Sequence, residues 1–203
     1  MKKFELVKDQ KTEAFGKTLF RIRSLISFAD VEAGEIGGYV EKEENLDQSG
    51  DSWVYDNAWV SGNARVSGNA RVYDNAWVSG NARVSGIARV SGNARVYDNA
   101  WVYGNAWVSG NARVYDNAWV CRGRDYIQMG PIGSRDDSIT FFRTKELKIM
   151  VSVGCFFGDI DRFEEKVKKT HGENDHAKAY MLAAQIARLR IDLTPDEENN
   201  EQD

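Results

Sequence analysis

The sequence predicts a mainly β protein: a parallel β-helix in the middle of the chain, a β segment before it and a small α+β domain after it. Three observations carry this. Residues 54 to 119 are eleven six-residue repeats in unbroken register. Pro is scarce, at 2 residues against 18 Gly, which suits repeated tight turns better than flexible linkers. Composition changes sharply after Cys121, where Lys, Phe and long aliphatic residues return. A strict short period means stacked units, each burying its neighbour, and six-residue periods belong to parallel β-helices.

The hexads read VYDNAW, VSGNAR, VSGNAR, VYDNAW, VSGNAR, VSGIAR, VSGNAR, VYDNAW, VYGNAW, VSGNAR and VYDNAW, followed by Val120-Cys121. Val stands first, Gly or Asp third, Asn fourth (Ile87 excepted), Ala fifth, and Arg or Trp sixth. The triplet Arg/Trp, Val, Ser/Tyr alternates out, in, out, so it forms a very short strand with Val facing the axis. The next three residues turn the corner: Gly-Asn and Asp-Asn tolerate positive φ, and Ala fits a narrow interior. Three sides close a coil of about 18 residues, so the hexads supply between three and four coils about 4.8 Å apart. In this register Trp59 lies beneath Trp77, Arg95 and Arg113; Arg65 beneath Arg83, Trp101 and Trp119; and Arg71 beneath Arg89 and Trp107. Each face changes chemistry halfway along. The Arg rows could hold an anion or lie flat on Trp, and exposed indoles at Trp59, Trp77, Trp101, Trp107 and Trp119 form an expected oligomer or partner surface.

The V-x-G-N-A-x hexads resemble the left-handed β-helix of the hexapeptide-repeat superfamily, which implies a left hand, a triangular section and a trimer. Many members are acyltransferases, with a catalytic His on a coil or loop and an acyl donor in the groove between subunits. Here the hexads contain no His and no inserted loop, and His171 and His176 both lie beyond them. No catalytic residue is assigned, and the expected protein is not an enzyme.

Residues 1–50 lack the repeat and are expected to form an N-terminal β cap and a first irregular coil, covering an end that would otherwise aggregate. Phe4 to Val7 and Thr18 to Ile26 are predicted as strands, and the turn-rich stretch Asp30 to Val40 as the start of that coil. The run Glu41-Lys42-Glu43-Glu44 is a solvated surface. The order of parts, residues 19–46 followed by the hexads, resembles hexapeptide-repeat proteins of bacteriophages and prophages over residues 18–120.

The β-helix is assigned to residues 51–121, and residues 122–192 to a βββαα domain. Its strands are predicted at Asp125 to Met129, Ser138 to Arg143 and Leu147 to Val153. A helix capped by Asp159 or Asp161, with Glu164 placed for a capping box, runs to about Thr170 and buries Phe163 and Val167. His171-Gly172 ends it, and a second helix from Asp175 to Ile191 offers Tyr180, Ala184, Ile186, Ala187 and Leu189 for packing. The acidic tail occupies 193–203 and is expected to be mobile. The stretch beginning Pro131-Ile132-Gly133 resembles a small module found at the ends of phage proteins that carry other repeats, with likeness over residues 126–191. That resemblance implies no reaction.

Net charge is −4, divided as −2, +1 and −3 over residues 1–50, 51–120 and 121–203, so no segment is a non-specific nucleic-acid surface. No apolar run spans a membrane and no signal peptide leads the chain, which makes the cytoplasm the expected compartment. Cys121 and Cys155 have no metal-ligand spacing and are expected reduced; no cofactor or metal is assigned. Cys155 with His171 could be a nucleophile and base but reads as a buried small thiol and a helix-ending His, and Asp136-Asp137 with Glu146 as turn charges. The candidate ligand site is the turn Gly133-Ser134-Arg135, whose amides, hydroxyl and guanidinium could grip an anion, with Arg143 or His171 beside it.

The expected function is a phage accessory protein: an oligomeric β-helix scaffold that binds a host small molecule or host protein, with a nucleotide-like defence signal as one target. The alternatives are an acyltransferase-like enzyme and a structural virion part. The hexad phase is directly testable. Val90→Asp should unfold or aggregate the protein while Ser91→Asp is mild, because a carboxylate among stacked Val side chains has no partner. Equal melting temperatures for the two variants would show the phase to be wrong.

Overall fold

The structure, a computed structural model, describes residues 2–195. The acidic residues 196–203 predicted as a mobile tail lie outside the described residues. The chain forms a parallel β-solenoid of about five turns with three walls, followed by a four-stranded antiparallel sheet and two helices.

Each hexad supplies one two-residue strand, Arg–Val or Trp–Val, and strands 18 residues apart pair in parallel register. The first wall stacks Tyr39, Trp59, Trp77, Arg95 and Arg113. The second stacks Trp53, Arg71, Arg89 and Trp107, and the third Arg65, Arg83, Trp101 and Trp119. The columns read from the sequence are therefore the columns of the fold. Every hexad Val and Ala is at most 1 % exposed, so the bore is filled by these two residue types alone along most of its length. Burying each Val contributes roughly 1.5–3 kcal/mol.

The backbone accounts for itself between coils. In one hexad the amides of Arg89, Ser91 and Asn93 donate to the carbonyls of Ala106, Val108 and Gly110 in the next coil at 2.8–2.9 Å, and Ala94 N–H closes the corner on Ser91 O at 3.3 Å. The third hexad position carries the positive φ, as Gly92 (φ 68°) or Asp98 (φ 58°), which is why only Gly and Asp occupy it. Asn side chains run up the corners, Asn63 to Asn81 at 3.2 Å and Asn81 to Asn99 at 3.1 Å.

The coil count exceeds the three to four that the hexads alone supply, because residues 36–54 form a coil without hexads. The strand β3 (Ile36–Val40) pairs with Trp59–Val60, Leu46 bridges to Val66, and Trp53–Val54 pairs with Arg71–Val72. Gly37 is required by space: a Cβ there would come 2.5 Å from Val54 O and 2.9 Å from the Trp53 ring. Trp53, in line with the outward sixth position, is instead fully buried, packed edge-on by Phe4 and Phe28 at 6.2 and 5.6 Å between ring centroids.

The hairpin of β1 (Phe4–Ala14) and β2 (Lys17–Ser24) joins the first wall through β3. Its first strand is longer than predicted. The extra residues, mostly exposed, extend the hairpin past its core residues Phe4, Leu19 and Ile22, so hydrophobic pattern alone could not reveal them.

After the last coil come strands Tyr126–Ile132, Asp137–Arg143, Ile149–Val153 and Phe156–Asp159, then helices α1 (Ile160–His171) and α2 (Asp175–Arg190). The predicted βββαα order is thus corrected to four strands: Gly154-Cys155 is a two-residue turn, and Phe156–Asp159 pairs back onto Met150–Val153. Asp159 caps α1 by accepting from Arg162 N–H at 2.8 Å; Glu164 makes no capping box and pairs with Arg188 at 3.1 Å instead. Helix α2 buries Ala177, Ala183, Ala184 and Ala187, while Ile186 and Leu189, expected in its packing face, are 45 % and 84 % exposed. Close approach to α1 and the sheet selects the alanine stripe over the bulkier residues. Phe142 closes the top of the bore against the solenoid core.

At the opposite end Lys3 is 2 % exposed, and its ammonium donates to the carbonyls of Ser49, Gly50 and Ser52 and to Ser52 Oγ at 2.9–3.3 Å. Burial lowers its pKa to about 8 from 10.5, against the opposing pull of Asp47 and Asp51. A folded-state value below the unfolded one means that the folded chain binds fewer protons between pH 8 and 10.5. This contribution to stability therefore grows as pH rises through that window and is lost as pH falls through 8. Relative to Lys3→Met, wild type should gain up to about 3 kcal/mol across the window in urea melts; parallel profiles would contradict the buried ammonium.

Candidate functional site

The sixth hexad position decides what the walls can bind, since it points outward on every rung. Each wall carries an Arg pair on adjacent rungs: Arg95 and Arg113 on the first, Arg71 and Arg89 on the second, Arg65 and Arg83 on the third. Arg71 is neutralised by Asp30 at 2.7 Å, with Tyr55 OH donating to the same carboxylate at 3.1 Å. Among the described residues no carboxylate lies within 4.0 Å of Arg65, Arg83, Arg89, Arg95 or Arg113. Three of these guanidinium groups rest on indoles of the adjacent coil: Arg83 on Trp101 at 4.8 Å, Arg95 on Trp77 at 5.5 Å and Arg89 on Trp107 at 6.0 Å.

The indoles are less available than the sequence implies. Phe15, at the tip of the N-terminal hairpin, stacks on Trp77 at 4.3 Å and meets Trp59 edge-on at 6.3 Å. Trp101 and Trp119 stack on each other at 4.6 Å, with Lys145 over Trp119 at 5.4 Å. Only Trp107, 55 % exposed, is open among the five predicted surface indoles, and it adjoins Ile127, Met129 and Ile186 in a groove of about 680 Å³. The tyrosines stack as the register requires, Tyr55 on Tyr73 at 4.8 Å and Tyr97 on Tyr115 at 4.5 Å. Burial pushes the Tyr97 and Tyr115 phenols up, and the charge of Asp98 adds to it, so both stay protonated and can donate.

Of the predicted ligand residues, Arg143 is engaged elsewhere than at the turn. Arg135 is exposed, whereas Arg143 is buried at the junction of solenoid and sheet, its Nη1 4.0 Å from Asp125 Oδ2 and its Nη2 donating to Thr194 O at 3.1 Å. The Asp125 carboxylate also accepts from the amides of Cys121 and Arg122 at 2.8 Å. Arg143 therefore serves the fold. Gly133 and His171 do share a neighbour: a Cβ on Gly133 would strike Tyr180 Oη, and the His171 ring lies 5.7 Å from the Tyr180 ring, with His176 at 6.1 Å. Ser134 is exposed beside them in sequence. Cys155 is exposed in its turn, and Glu146 accepts from Asn117 at the last corner. Among the described residues no group of three or more His, Cys, Asp or Glu could hold a metal ion, and no helix is long and apolar enough to cross a membrane. The site that sequence reasoning missed is the Phe15–Trp77 contact. Its only sequence signal is an aromatic residue before Gly16 in a turn, where a polar residue is usual.

The family model of the YdcK beta solenoid repeat matches residues 64–80, 88–104 and 106–122. The chain is a repeat β-helix protein. Each matched stretch begins at a hexad Ala and covers one VSGNAR hexad and the following Tyr hexad, close to one coil; residues 81–87, with the irregular Ile87, fall between two matches. No curated protein matches the chain significantly.

Two outcomes follow from this geometry. Arg143→Met should cost about 1–3 kcal/mol by removing one buried partner of the Asp125 carboxylate, which keeps Arg122 at 3.4 Å, while Arg135→Ala stays within about 0.5 kcal/mol; equal costs in denaturant melts would contradict the assignment. Acrylamide should quench wild-type fluorescence chiefly through Trp107, so Trp107→Phe removes most of the quenchable signal and Trp53→Phe does not. Similar losses in the two variants would contradict the burial described.

Proposed function

We propose that the chain is a non-enzymatic binding protein: a left-handed β-helix scaffold that self-associates and holds an anionic small molecule on its outer walls. The observation that carries this reading is that, among the described residues, no carboxylate lies within 4.0 Å of five of the six wall arginines. Two guanidinium groups on adjacent rungs repel each other, and where no carboxylate offsets that cost the pair is poised to accept an anion. Arg95/Arg113 is such a pair, next to the Trp77 indole in the same column, whereas Arg65/Arg83 shares its recess with Glu43, Glu44 and Asp47.

The left hand rests on the likeness of the hexads to the hexapeptide-repeat superfamily. The role of the N-terminal hairpin as a cap is supported by Phe4, Ile22 and Phe28, which continue the solenoid core past Trp53. Self-association, with a trimer favoured, draws support from the groove around Trp107 rather than from Trp59 and Trp77, which Phe15 overlies. A phage or prophage origin and a nucleotide-like host defence signal as target belong to the same proposal and rest on resemblance in the flanking segments; a host-cytoplasmic setting goes with that origin.

Native mass spectrometry of protein isolated from its own cells, alongside an acyl-CoA turnover assay, tests the reading. The expected result is an oligomer that retains an anionic small molecule and consumes no acyl donor. A bare monomer, or turnover of the donor, would contradict it.

A further inference from the structure

Arginines with no carboxylate within 4.0 Å among the described residues and an exposed aromatic residue converge at one place on the first wall. The hairpin turn Phe15-Gly16 overhangs the wall, and further up the four-stranded antiparallel sheet meets it, where Arg113 N–H donates to Thr140 Oγ1 at 3.1 Å. A recess of about 380 Å³ in this stretch of wall is lined by Phe15, Trp77, Ser79, Arg95, Tyr97 and Arg113. Trp77, Arg95 and Arg113 are consecutive rungs of one parallel ladder, so aromatic and cationic groups stand in line. From the Trp77 rung to the Arg113 rung is two strand spacings, about 10 Å.

We infer that this recess binds a nucleotide, with the base against Phe15 and Trp77 and the phosphates on Arg95 and Arg113. The inference rests on the reading of the protein as an anion-binding scaffold and names the ligand class and the wall.

Phe15 points to the base. It sits at φ 52°, a left-handed conformation costly for a large side chain, in a turn that Asn or Asp would make with less strain. It stacks on Trp77 at 4.3 Å while the residue remains 72 % exposed, so an aromatic platform faces water instead of being buried in the fold. A base laid on such a platform gains roughly 1–3 kcal/mol. Arg95 and Arg113 point to the phosphates. Neither has a carboxylate within 4.0 Å among the described residues, and two planar forks on adjacent rungs can share the oxygens of one phosphate or of a diphosphate. Ser79 adds a hydroxyl between the two ends, where a ribose would lie beside Tyr97. The first wall is favoured over the third because the recess around Arg65 and Arg83 is also lined by Glu43, Glu44 and Asp47, which oppose an anion there.

Calorimetry with AMP, ADP, ATP, adenosine and pyrophosphate on the full chain tests the inference. The variants are Arg95→Gln/Arg113→Gln, Phe15→Asn, which accepts the positive φ, and Arg65→Gln/Arg83→Gln as the control wall; unchanged melting temperatures confirm folding. The expected pattern is nucleotide binding that weakens about 30-fold or more in Arg95→Gln/Arg113→Gln, as the loss of two charge-assisted contacts implies. In Phe15→Asn nucleotides should weaken about 10-fold while pyrophosphate is unchanged, as the loss of one stacked base implies. The control wall should change affinity less than about 2-fold, as residues outside the site do.

No nucleotide binding, binding indifferent to Arg95 and Arg113, or equal loss of nucleotide and pyrophosphate in Phe15→Asn would overturn the nucleotide site. An anion retained by the isolated protein, or binding that depends on Arg65 and Arg83, would in those cases leave the broader scaffold reading standing.

Discussion

In-register stacking at 18 residues is the constraint on which the rest of this structure depends. Each coil is too small to bury anything alone; it becomes stable only when its Val and Ala lie under those of the next coil and its amides find the next coil's carbonyls. A residue's height and wall are then fixed by its number, and a change of chemistry in the sequence becomes a change of chemistry along a wall. That is how Trp59 and Trp77 come to lie beneath Arg95 and Arg113, and Arg65 and Arg83 beneath Trp101 and Trp119.

The same constraint explains why both ends are elaborate. An open coil end exposes its core together with unpaired amides and carbonyls. At one end Trp53 turns into the core position, Gly37 lets β3 press against it, and the Lys3 ammonium gathers carbonyls that have no coil beneath them. At the other, Phe142 fills the bore while Asp125 and Arg143 bind the last coil to the sheet through buried charge. Interior uniformity leaves the outer walls free to vary, so their Arg and Trp columns can carry recognition without altering the core.

How much of this was legible follows from how local each determinant is. The hexad phase, the inward Val and Ala and the vertical columns were legible because a strict period leaves one register. The burial of Trp53 was not, because its outward-type position is overridden by Phe4 and Phe28 from distant segments. Phe156–Asp159 was missed as a strand because four residues with two adjacent Phe carry no alternation, and their pairing with Met150–Val153 depends on the Gly154-Cys155 turn. In α2 the apolar residues surround the helix, so only packing against α1 and the sheet distinguishes the buried alanines from exposed Leu189. Arg143 was grouped with Arg135 by sequence proximity, whereas sheet geometry sends it to Asp125. The Phe15–Trp77 contact joins residues 62 positions apart and left no periodic trace.

The most direct measurement of the stacking register is disulfide formation between engineered corner cysteines, in a background where Cys121 and Cys155 are replaced by Ser. Asn63 and Asn81 are hydrogen-bonded neighbours at 3.2 Å on successive coils, so Asn63→Cys/Asn81→Cys should cross-link within one chain under mild oxidation and retain its melting transition. Asn63→Cys/Asn75→Cys, on different corners, should remain reduced. Cross-linking of the second pair with none in the first would contradict a coil of 18 residues and every column built on it.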